Sequence, residues 1–119
     1  MHLANVVTLS NVINTPTGEI IYPLFDASTG ATRHSVARVI IPPEKGSPKH
    51  YHKISEETYF IYRGRAVLTI NGQTYHLSAH QGVLINPGDV HQIFNACGEN
   101  LELLVTCAPL WTPDDFFLV

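Results

Sequence analysis

The sequence predicts an all-β protein, a sandwich or barrel built from short strands. Short runs rich in Val, Ile, Thr, Tyr and Phe alternate with clusters of Gly, Pro and Asn, and helical periodicity is scarce. This alternation is typical of β-sandwiches and β-barrels. A chain of 119 residues is long enough to bury a core of its own and leaves little room for a second domain. We therefore expect one domain over residues 1–119.

Turn-forming residues separate the predicted strands. The turn segments include N-T-P-T-G, D-A-S-T-G, P-P-E-K-G-S-P and N-P-G-D, which carry the residue types that favour turns. Strands are expected at 19–25, 35–41, 49–52, 57–63, 66–70, 73–77, 82–85, 91–95 and 101–108. The clearest element is T-I-N-G-Q-T at 69–74, because Asn71-Gly72 accepts the positive φ of a type I′ turn and so predicts a tight hairpin. The segment V-V-T-L at 6–9 is a further candidate strand. The aromatic C-terminal tail is expected to cover an open barrel end or to meet a neighbouring subunit.

Composition and charge exclude several classes of protein. The hydrophobic fraction is 45%, the charged fraction is 14% and the net charge is −3, which indicates a globular protein with no basic patch for nucleic acid. No apolar run is long enough to span a membrane, and we expect no secretory signal. Cys97 and Cys107 are too few for a disulfide framework. Both are expected to be reduced, in a cytoplasmic protein.

The segment K-H-Y-H-K-I-S-E-E at 49–57 concentrates side chains that bind metals. On a strand, residues i and i+2 point to the same face, so His50 and His52 project side by side. Imidazole suits Zn, Fe, Cu, Ni or Mn, but two histidines alone hold an ion weakly. A turn after His52 would return Glu57 to the pair, whereas Glu56 would face the opposite side of its strand.

A second segment, N-P-G-D-V-H-Q-I-F-N at 86–95, begins a strand with His91. By the same parity His91, Ile93 and Asn95 share one face. Taken alone, His-x-His in a chain with seven histidines is more often a surface feature than a metal site. The combination of the two segments is what favours a metal site.

Together the two segments resemble the motifs of the cupin superfamily, whose members are small jelly-roll barrels with a double-stranded β-helix. The first motif reads Gly, five residues, His-x-His, three or four residues, Glu, six residues, Gly; the second reads Gly, five residues, Pro-x-Gly, two residues, His, three residues, Asn. The positions that match are His50, His52, Glu57, Gly64, Gly88, His91 and Asn95. The resemblance covers roughly residues 35–108, flanked by N-terminal strands and a short C-terminal tail. It implies one divalent metal ion held by His50, His52, Glu57 and His91.

The sequence departs from both motifs at positions that shape turns. Glu44 and His80 occupy the two leading glycine positions, and Asn86 stands at the proline position. None of these positions binds metal in the motif. The departures therefore put the geometry of the turns in question and leave the four ligands intact.

The resemblance implies a metal-binding protein that acts on a small-molecule ligand. Ligands without thiolate favour Mn, Fe, Ni, Zn or Co, and do not select among them. The chain is similar to small cupins named mannose-6-phosphate isomerase-like, so we expect either a dioxygenase or an isomerase of a sugar or sugar phosphate. A non-catalytic cupin that binds or senses a small molecule is the alternative. If the barrel were purely structural, the presence of all four ligand residues at the motif positions would be a coincidence.

Other polar residues have two interpretations each. Tyr59 follows Glu57 on the same face and is a candidate catalytic residue that orients a substrate hydroxyl, although a buried tyrosine can also serve only packing. Arg38 would hold an anion if it pointed inward, and would be ordinary solvation if it pointed outward. His34, His76 and His80 lack a spacing partner and are expected at the surface or in turns. Open sheet edges need cover, so a homodimer is expected.

Overall fold

Eleven β-strands and two short 3₁₀ helices make up the computed structural model, which describes residues 1–119 and contains no α-helix. The strands, β1 to β11 in chain order, are Ile13–Asn14, Ile20–Phe25, Ser35–Ile41, His50–Tyr51, Glu56–Arg63, Arg65–Ile70, Gln73–Ser78, Gly82–Ile85, His91–Phe94, Leu101–Ala108 and Phe117–Leu118. The 3₁₀ helices are Ala27–Thr29 and Pro113–Asp115. Neither helix has the length and hydropathy of a membrane span.

The strands form two antiparallel sheets that enclose the core. The six-stranded sheet has the order β1-β2-β3-β10-β5-β8, and the five-stranded sheet has the order β11-β4-β9-β6-β7. Along β5, Tyr59 and Ile61 are buried whereas Phe60 is exposed, as expected when successive side chains point to opposite faces of a sheet. The core combines Ile61 of the first sheet with Leu68 and Ile93 of the second. The predicted all-β architecture is therefore confirmed.

The nine strands predicted between residues 19 and 108 are all present. Ser35–Ile41, Gly82–Ile85 and Leu101–Ala108 have the predicted bounds; the strand predicted at 49–52 is one residue shorter at each end, and the others differ by one residue at one end. Asn71 and Gly72 have φ values of 50° and 83°, and Ile70 pairs with Gln73 across them. This confirms the predicted hairpin.

The predicted strand at 6–9 is wrong. Residues 6–8 form a turn, in which the Thr8 N–H donates to the Asn5 carbonyl at 3.1 Å and the Val7 N–H donates to Asn5 Oδ1 at 2.9 Å. An asparagine side chain that satisfies the backbone two residues on favours a turn over a strand. Conversely, the two-residue strands β1 and β11 were not predicted.

In two turns, the residue at a motif glycine position has a left-handed backbone conformation although it is not glycine. Glu44 has φ 63° and His80 has φ 72°, in the region that favours glycine. Backbone hydrogen bonds fix both: the Glu44 N–H donates to the Asn95 carbonyl at 2.9 Å, and the His80 N–H donates to the Ile61 carbonyl at 2.6 Å. The turn geometry is thus retained despite the substitutions.

Candidate metal centre

The four predicted ligands come together between the two sheets. His50 of β4 lies directly opposite His91 of β9 in the five-stranded sheet, and His52 follows β4 by one residue. Glu57 of β5 reaches them from the six-stranded sheet. All four are buried, with exposed fractions of 5% or less. One ligand atom from each lies within 4.8 Å of the others, a spacing that fits a single ion.

Hydrogen bonds to backbone carbonyls set the orientation of all three histidine rings. His50 Nδ1 donates to the Pro48 carbonyl at 2.7 Å, and His91 Nδ1 donates to the Asp89 carbonyl at 2.8 Å. His52 Nδ1 donates in the same way to a carbonyl of the C-terminal segment at 2.7 Å. Because a carbonyl oxygen only accepts, Nδ1 must carry the proton and the lone pair is left on Nε2. Such bonds are typical of metal-binding histidines.

The inward-facing atoms are not satisfied by the protein alone. His52 Nε2 is fully buried without a hydrogen-bond partner and lies 3.7 Å from Glu57 Oε1. His91 Nε2 lies 3.0 Å from the same oxygen. With Nδ1 already protonated, either contact is favourable only if a proton or another cation lies between nitrogen and oxygen. The donor set of three imidazoles and one carboxylate therefore fits a divalent ion.

Electrostatics keep two of the four groups in the form that binds metal. Burial raises the pKa of Glu57, but the His52 and His91 rings beside its carboxylate outweigh that effect, so the pKa falls below its ordinary value. Burial, followed by the charge of His91, lowers the pKa of His50 to about 4. At neutral pH Glu57 is therefore ionised and His50 is neutral. Burial lowers the pKa of His52, but Glu57 outweighs it and the net shift is upward, so a proton competes with an ion at this ring.

The C-terminal tail holds the turn between His52 and Glu57. The Asp115 carboxylate accepts hydrogen bonds from the backbone N–H groups of residues 53, 54 and 55, at 2.7, 3.0 and 2.9 Å, and the Asp115 carbonyl accepts the His52 Nδ1 proton. Burial raises the pKa of Asp115, but these backbone bonds outweigh it and lower the pKa. Sequence reasoning missed Asp115, because nothing near it in the chain marks a partner some sixty residues earlier.

The rest of the tail completes the wall of the site. β11 pairs with β4, with Phe117 opposite Tyr51 and Leu118 opposite His50. The Phe116 ring lies 4.8 Å from the His50 ring between centroids. The tail thus packs against β4 and His50, and Trp111 and Phe116 line the cavity; both predicted roles of the tail, covering a barrel end and meeting a neighbouring subunit, stay predictions.

A cavity of about 620 Å³ is lined by three of the four residues, His50, His52 and Glu57. Tyr59 lies in its wall and is 5% exposed. Burial, followed by the charges of Glu57 and Glu19, raises the pKa of Tyr59 well above its ordinary value, so its hydroxyl stays protonated. Cys107 also lies in the wall and its Sγ donates to Glu57 Oε2 at 3.2 Å. Cys107 thus holds the carboxylate oxygen that does not face the histidines.

Residues 37–107 match the family model described as Cupin domain, Cupin_2. The chain belongs to the cupin domain family. This confirms the predicted superfamily and, with the two antiparallel sheets, the double-stranded β-helix or jelly-roll fold.

Relatives of this cupin carry different names. Polyketide synthase CurC of Streptomyces cyaneus is 29% identical over 93 residues, which make up 78% of this chain and 60% of CurC. Matches to curated relatives span 58% to 66% of the relatives' own length. A putative sugar phosphate isomerase from Acidithiobacillus ferrooxidans has a TM-score of 0.70 at 23% identity, with 77% of this chain and 60% of that one covered. Streptomyces PAC13, described as a unique nucleoside dehydratase, has a TM-score of 0.81 at 20% identity, with 100% and 91% covered. The two structures share the fold.

Glu19 is a cavity residue of this cupin that sequence reasoning missed. It immediately precedes β2 and lines the same cavity as Glu57. Burial, followed by the charge of Glu57, raises the pKa of Glu19 to about 7. In the sequence it is one acidic residue at the start of a strand, a position where a solvated side chain is ordinary, so no signal distinguished it.

The remaining predicted residues lie away from the centre. Arg38 points outward, where Nε donates to Tyr62 Oη at 2.6 Å and a terminal nitrogen lies 2.7 Å from Glu102 Oε1; it therefore holds no ligand in the cavity. Asn95 is fully buried and donates to the backbone carbonyls of Ile41 and Glu99, so it supports the barrel wall. The three unpaired histidines are exposed, as predicted: His34, His76 and His80.

Proposed function

We propose that this cupin is a metal-dependent enzyme that acts on a small molecule in the barrel cavity, with one divalent ion held by His50, His52, Glu57 and His91. One observation carries the proposal. Three imidazole rings, each fixed by a backbone carbonyl, direct Nε2 toward a buried carboxylate at the wall of a cavity of about 620 Å³. A cluster that served only stability would not leave His52 Nε2 buried and without a partner.

The ion would be Mn, Fe, Zn, Ni or Co. When bound, it would supply a Lewis acid for a substrate oxygen or a bound water, or a redox centre if it is iron. The protein contributes the rest: it excludes bulk water, keeps Glu57 ionised, and presents the Tyr59 hydroxyl as a hydrogen-bonding group in the cavity wall. Tyr59 is our candidate catalytic residue on this ground.

Two reactions remain within the proposal, a dioxygenase reaction and isomerisation of a sugar or sugar phosphate. The similar proteins named above differ in their described activities, so they support catalysis on small molecules without selecting a reaction. The alternative is a cupin that binds or senses a small molecule without turnover. The mostly apolar cavity wall supports binding equally well. The single-domain organisation, the cytoplasmic location and the absence of a nucleic-acid partner stay predictions.

Elemental analysis tests the metal site. Protein purified without chelator or nickel resin should contain about one equivalent of Fe, Mn or Zn. The double variant His50→Ala/His91→Ala should lose the ion. The matched control is His34→Ala/His76→Ala, which removes two exposed histidines outside the centre and should keep it. A folded wild-type protein that takes up none of the five ions when each is added would overturn the site.

The identity of the ion then directs the assay. Iron leads to oxygen consumption, and zinc or manganese to isomerisation. Turnover that disappears in a folded His91→Ala variant supports the enzyme. Melting shifts with ligands, without turnover over a broad panel, favour the binding module.

A homodimer also belongs to the proposal. Phe60, Leu84 and Leu104 are 45%, 51% and 37% exposed on neighbouring strands of the six-stranded sheet, with Leu104 opposite Phe60. An exposed apolar cluster of this kind marks an interaction surface. Light scattering should give twice the chain mass for the wild type and the chain mass for Phe60→Lys, whereas Tyr75→Lys on the other sheet should stay dimeric. A monomeric wild type would contradict the proposed homodimer.

A further inference from the structure

The cavity wall beyond the metal centre carries acidic groups and no basic side chain. None of its lining residues is lysine or arginine, and the histidines among them belong to the centre. Three carboxyl groups line it, those of Glu19, Asp26 and Glu57. Most other lining side chains are apolar, and Phe25, Trp111 and Phe116 add aromatic rings. The wall is therefore apolar with an acidic character.

Only one of the three carboxyl groups lacks a partner within the protein. Asp26 caps the 3₁₀ helix that follows it, because its Oδ1 accepts from the Ser28 N–H at 2.9 Å. Glu57 faces the histidines and accepts from Cys107. The Glu19 side chain forms neither a hydrogen bond nor an ion pair. A carboxyl group in an apolar wall is costly unless something satisfies it, which makes Glu19 the group available to a ligand.

The backbone around Glu19 is well fixed. Its carbonyl accepts the Thr15 N–H at 2.9 Å and the Thr15 hydroxyl at 3.1 Å, which closes the turn between β1 and β2. Gly18, with φ 104°, completes this turn. The hairpin therefore fixes the backbone from which the Glu19 side chain lines the cavity wall.

We propose that the cavity takes an uncharged, largely apolar ring compound, with a hydroxyl or N–H group bound by Glu19, and discriminates against phosphorylated compounds. The inference rests on the proposed function only for the end of the ligand that would meet the metal. A phosphate group remote from the ion would be desolvated beside Glu19 with no cation to pair it. Recognition of phosphate ordinarily uses arginine, lysine or backbone N–H clusters. Within the proposed function, this argues against the sugar-phosphate branch.

A matched pair of probes tests the discrimination. Binding of 2-naphthol and of 2-naphthyl phosphate is measured by calorimetry at pH 8, above the pKa of about 7 of Glu19, with fructose 6-phosphate as a third probe. The chain has one tryptophan, Trp111, in the cavity wall, so the shift of its indole N–H resonance reports occupancy of the cavity. We expect 2-naphthol to bind at least tenfold more tightly than 2-naphthyl phosphate, and fructose 6-phosphate not to shift the resonance. Equal or tighter binding of either phosphate, or no Trp111 shift with 2-naphthol, would overturn the inference.

Variants assign the discrimination to Glu19. Glu19→Lys should reduce the preference for 2-naphthol at least tenfold, because it places a cation in the wall. Glu99→Lys makes the same charge change at an exposed site outside the cavity and should leave the preference unchanged. If Glu19→Lys does not fold, Glu19→Gln should still weaken the discrimination without reversing it. An unchanged preference in the folded Glu19 variants refutes the role of Glu19.

Running each titration on chelator-treated and zinc-loaded protein separates this inference from the proposed function. Discrimination without any metal uptake would leave the substrate class standing and remove the metalloenzyme. Metal uptake together with preference for the phosphates would leave the metalloenzyme standing and refute the proposed substrate class.

Discussion

Glu57 and Glu19 lie in the wall of one cavity, and their surroundings are opposite. Glu57 is nearly fully buried, faces His52 and His91, and accepts from Cys107. Its pKa is lowered although burial alone would raise it. Glu19 is less buried and has no partner, and its pKa is raised to about 7.

The contrast shows that burial does not decide the state of a carboxyl group; its hydrogen-bond partners do. The Glu57 charge is part of the metal centre, and its carboxylate has hydrogen-bonding partners in the protein. The Glu19 carboxyl group faces the space for a ligand and has no such partner. The first three predictions below either remove partners from a satisfied carboxylate or change the unsatisfied one, and the last concerns a strained turn.

The largest effect is expected at Asp115, another carboxylate whose two oxygens both accept hydrogen bonds from the protein. Asp115→Ala leaves three backbone N–H groups of residues 53–55 without an acceptor. Hydrogen bonds to charged groups contribute about 1.5–3 kcal/mol each, and losses of this kind are not additive, so we expect unfolding in urea to become easier by about 3–4 kcal/mol. Zinc affinity should fall about 10- to 100-fold, because the turn that carries His52 loosens.

Asp114→Ala is the matched control for Asp115→Ala. Asp114 is the adjacent acid, exposed to solvent, and its loss should change the free energy of unfolding by less than about 0.5 kcal/mol. Equal effects of the two substitutions would show that the tail does not hold the turn.

The next effect concerns Glu19 and the pH dependence of stability in chelator-treated protein. Glu19 titrates near 4.5 when unfolded and at about 7 when folded, so between these values the folded protein binds more protons and loses stability as pH rises. A shift of this size corresponds to about 3 kcal/mol for a fully buried group. Partial exposure reduces our expectation to about 2 kcal/mol. Glu19→Gln should therefore match the wild type at pH 4.5 and be more stable by that amount at pH 8.

Zinc provides the control for the Glu19 experiment. A bound cation favours the Glu19 carboxylate and lowers its folded pKa, so the gain from Glu19→Gln should shrink after zinc loading. A gain that is independent of pH would mean that folding does not shift the pKa of Glu19.

A smaller effect is expected when Glu57 loses one hydrogen-bond donor, the Cys107 thiol. Cys107→Val keeps an apolar side chain at this buried position, although a somewhat larger one, and removes the donor to Glu57 Oε2. Loss of a hydrogen bond from this weak thiol donor to the ionised carboxylate costs about 1 kcal/mol, and zinc affinity should fall about tenfold because the carboxylate is less well oriented. Cys97→Val, at the half-buried cysteine elsewhere in the barrel, should leave zinc affinity unchanged. Unchanged zinc binding in Cys107→Val would limit the thiol to packing.

The parts of this molecule that follow from the sequence are those governed by local rules. Strand parity separated Glu57 from Glu56, because neighbouring residues on a strand face opposite sides. The Asn71-Gly72 turn followed from the φ values that this pair accepts. His50, His52 and Glu57 lie within eight positions of one another, so spacing alone indicated that they could meet. Bringing His91 to them required the motif resemblance.

What could not be predicted depends on contacts between distant segments. Asp115 acts on residues 53–55 through bonds that span about sixty positions. Glu19 matters only because β2 packs beside β3 in the wall that faces Glu57. Val6–Leu9 had the composition of a strand, but a single asparagine side chain favoured a turn instead. None of these leaves a periodic signal in the sequence.

The smallest effect is expected at the turns where the motifs have glycine. Glu44 is exposed, has φ 63° and forms no side-chain hydrogen bond, so its side chain contributes strain without a compensating contact. A left-handed non-glycine residue costs about 1–2 kcal/mol, and glycine adds about 0.5–1 kcal/mol of entropy to the unfolded chain. Glu44→Gly should therefore stabilise the protein by about 0.5–1 kcal/mol in urea unfolding, with metal binding unchanged. Glu44→Ala keeps the Cβ and should give no gain. If both substitutions stabilise equally, the cost lies in the charge of Glu44 and not in its backbone conformation.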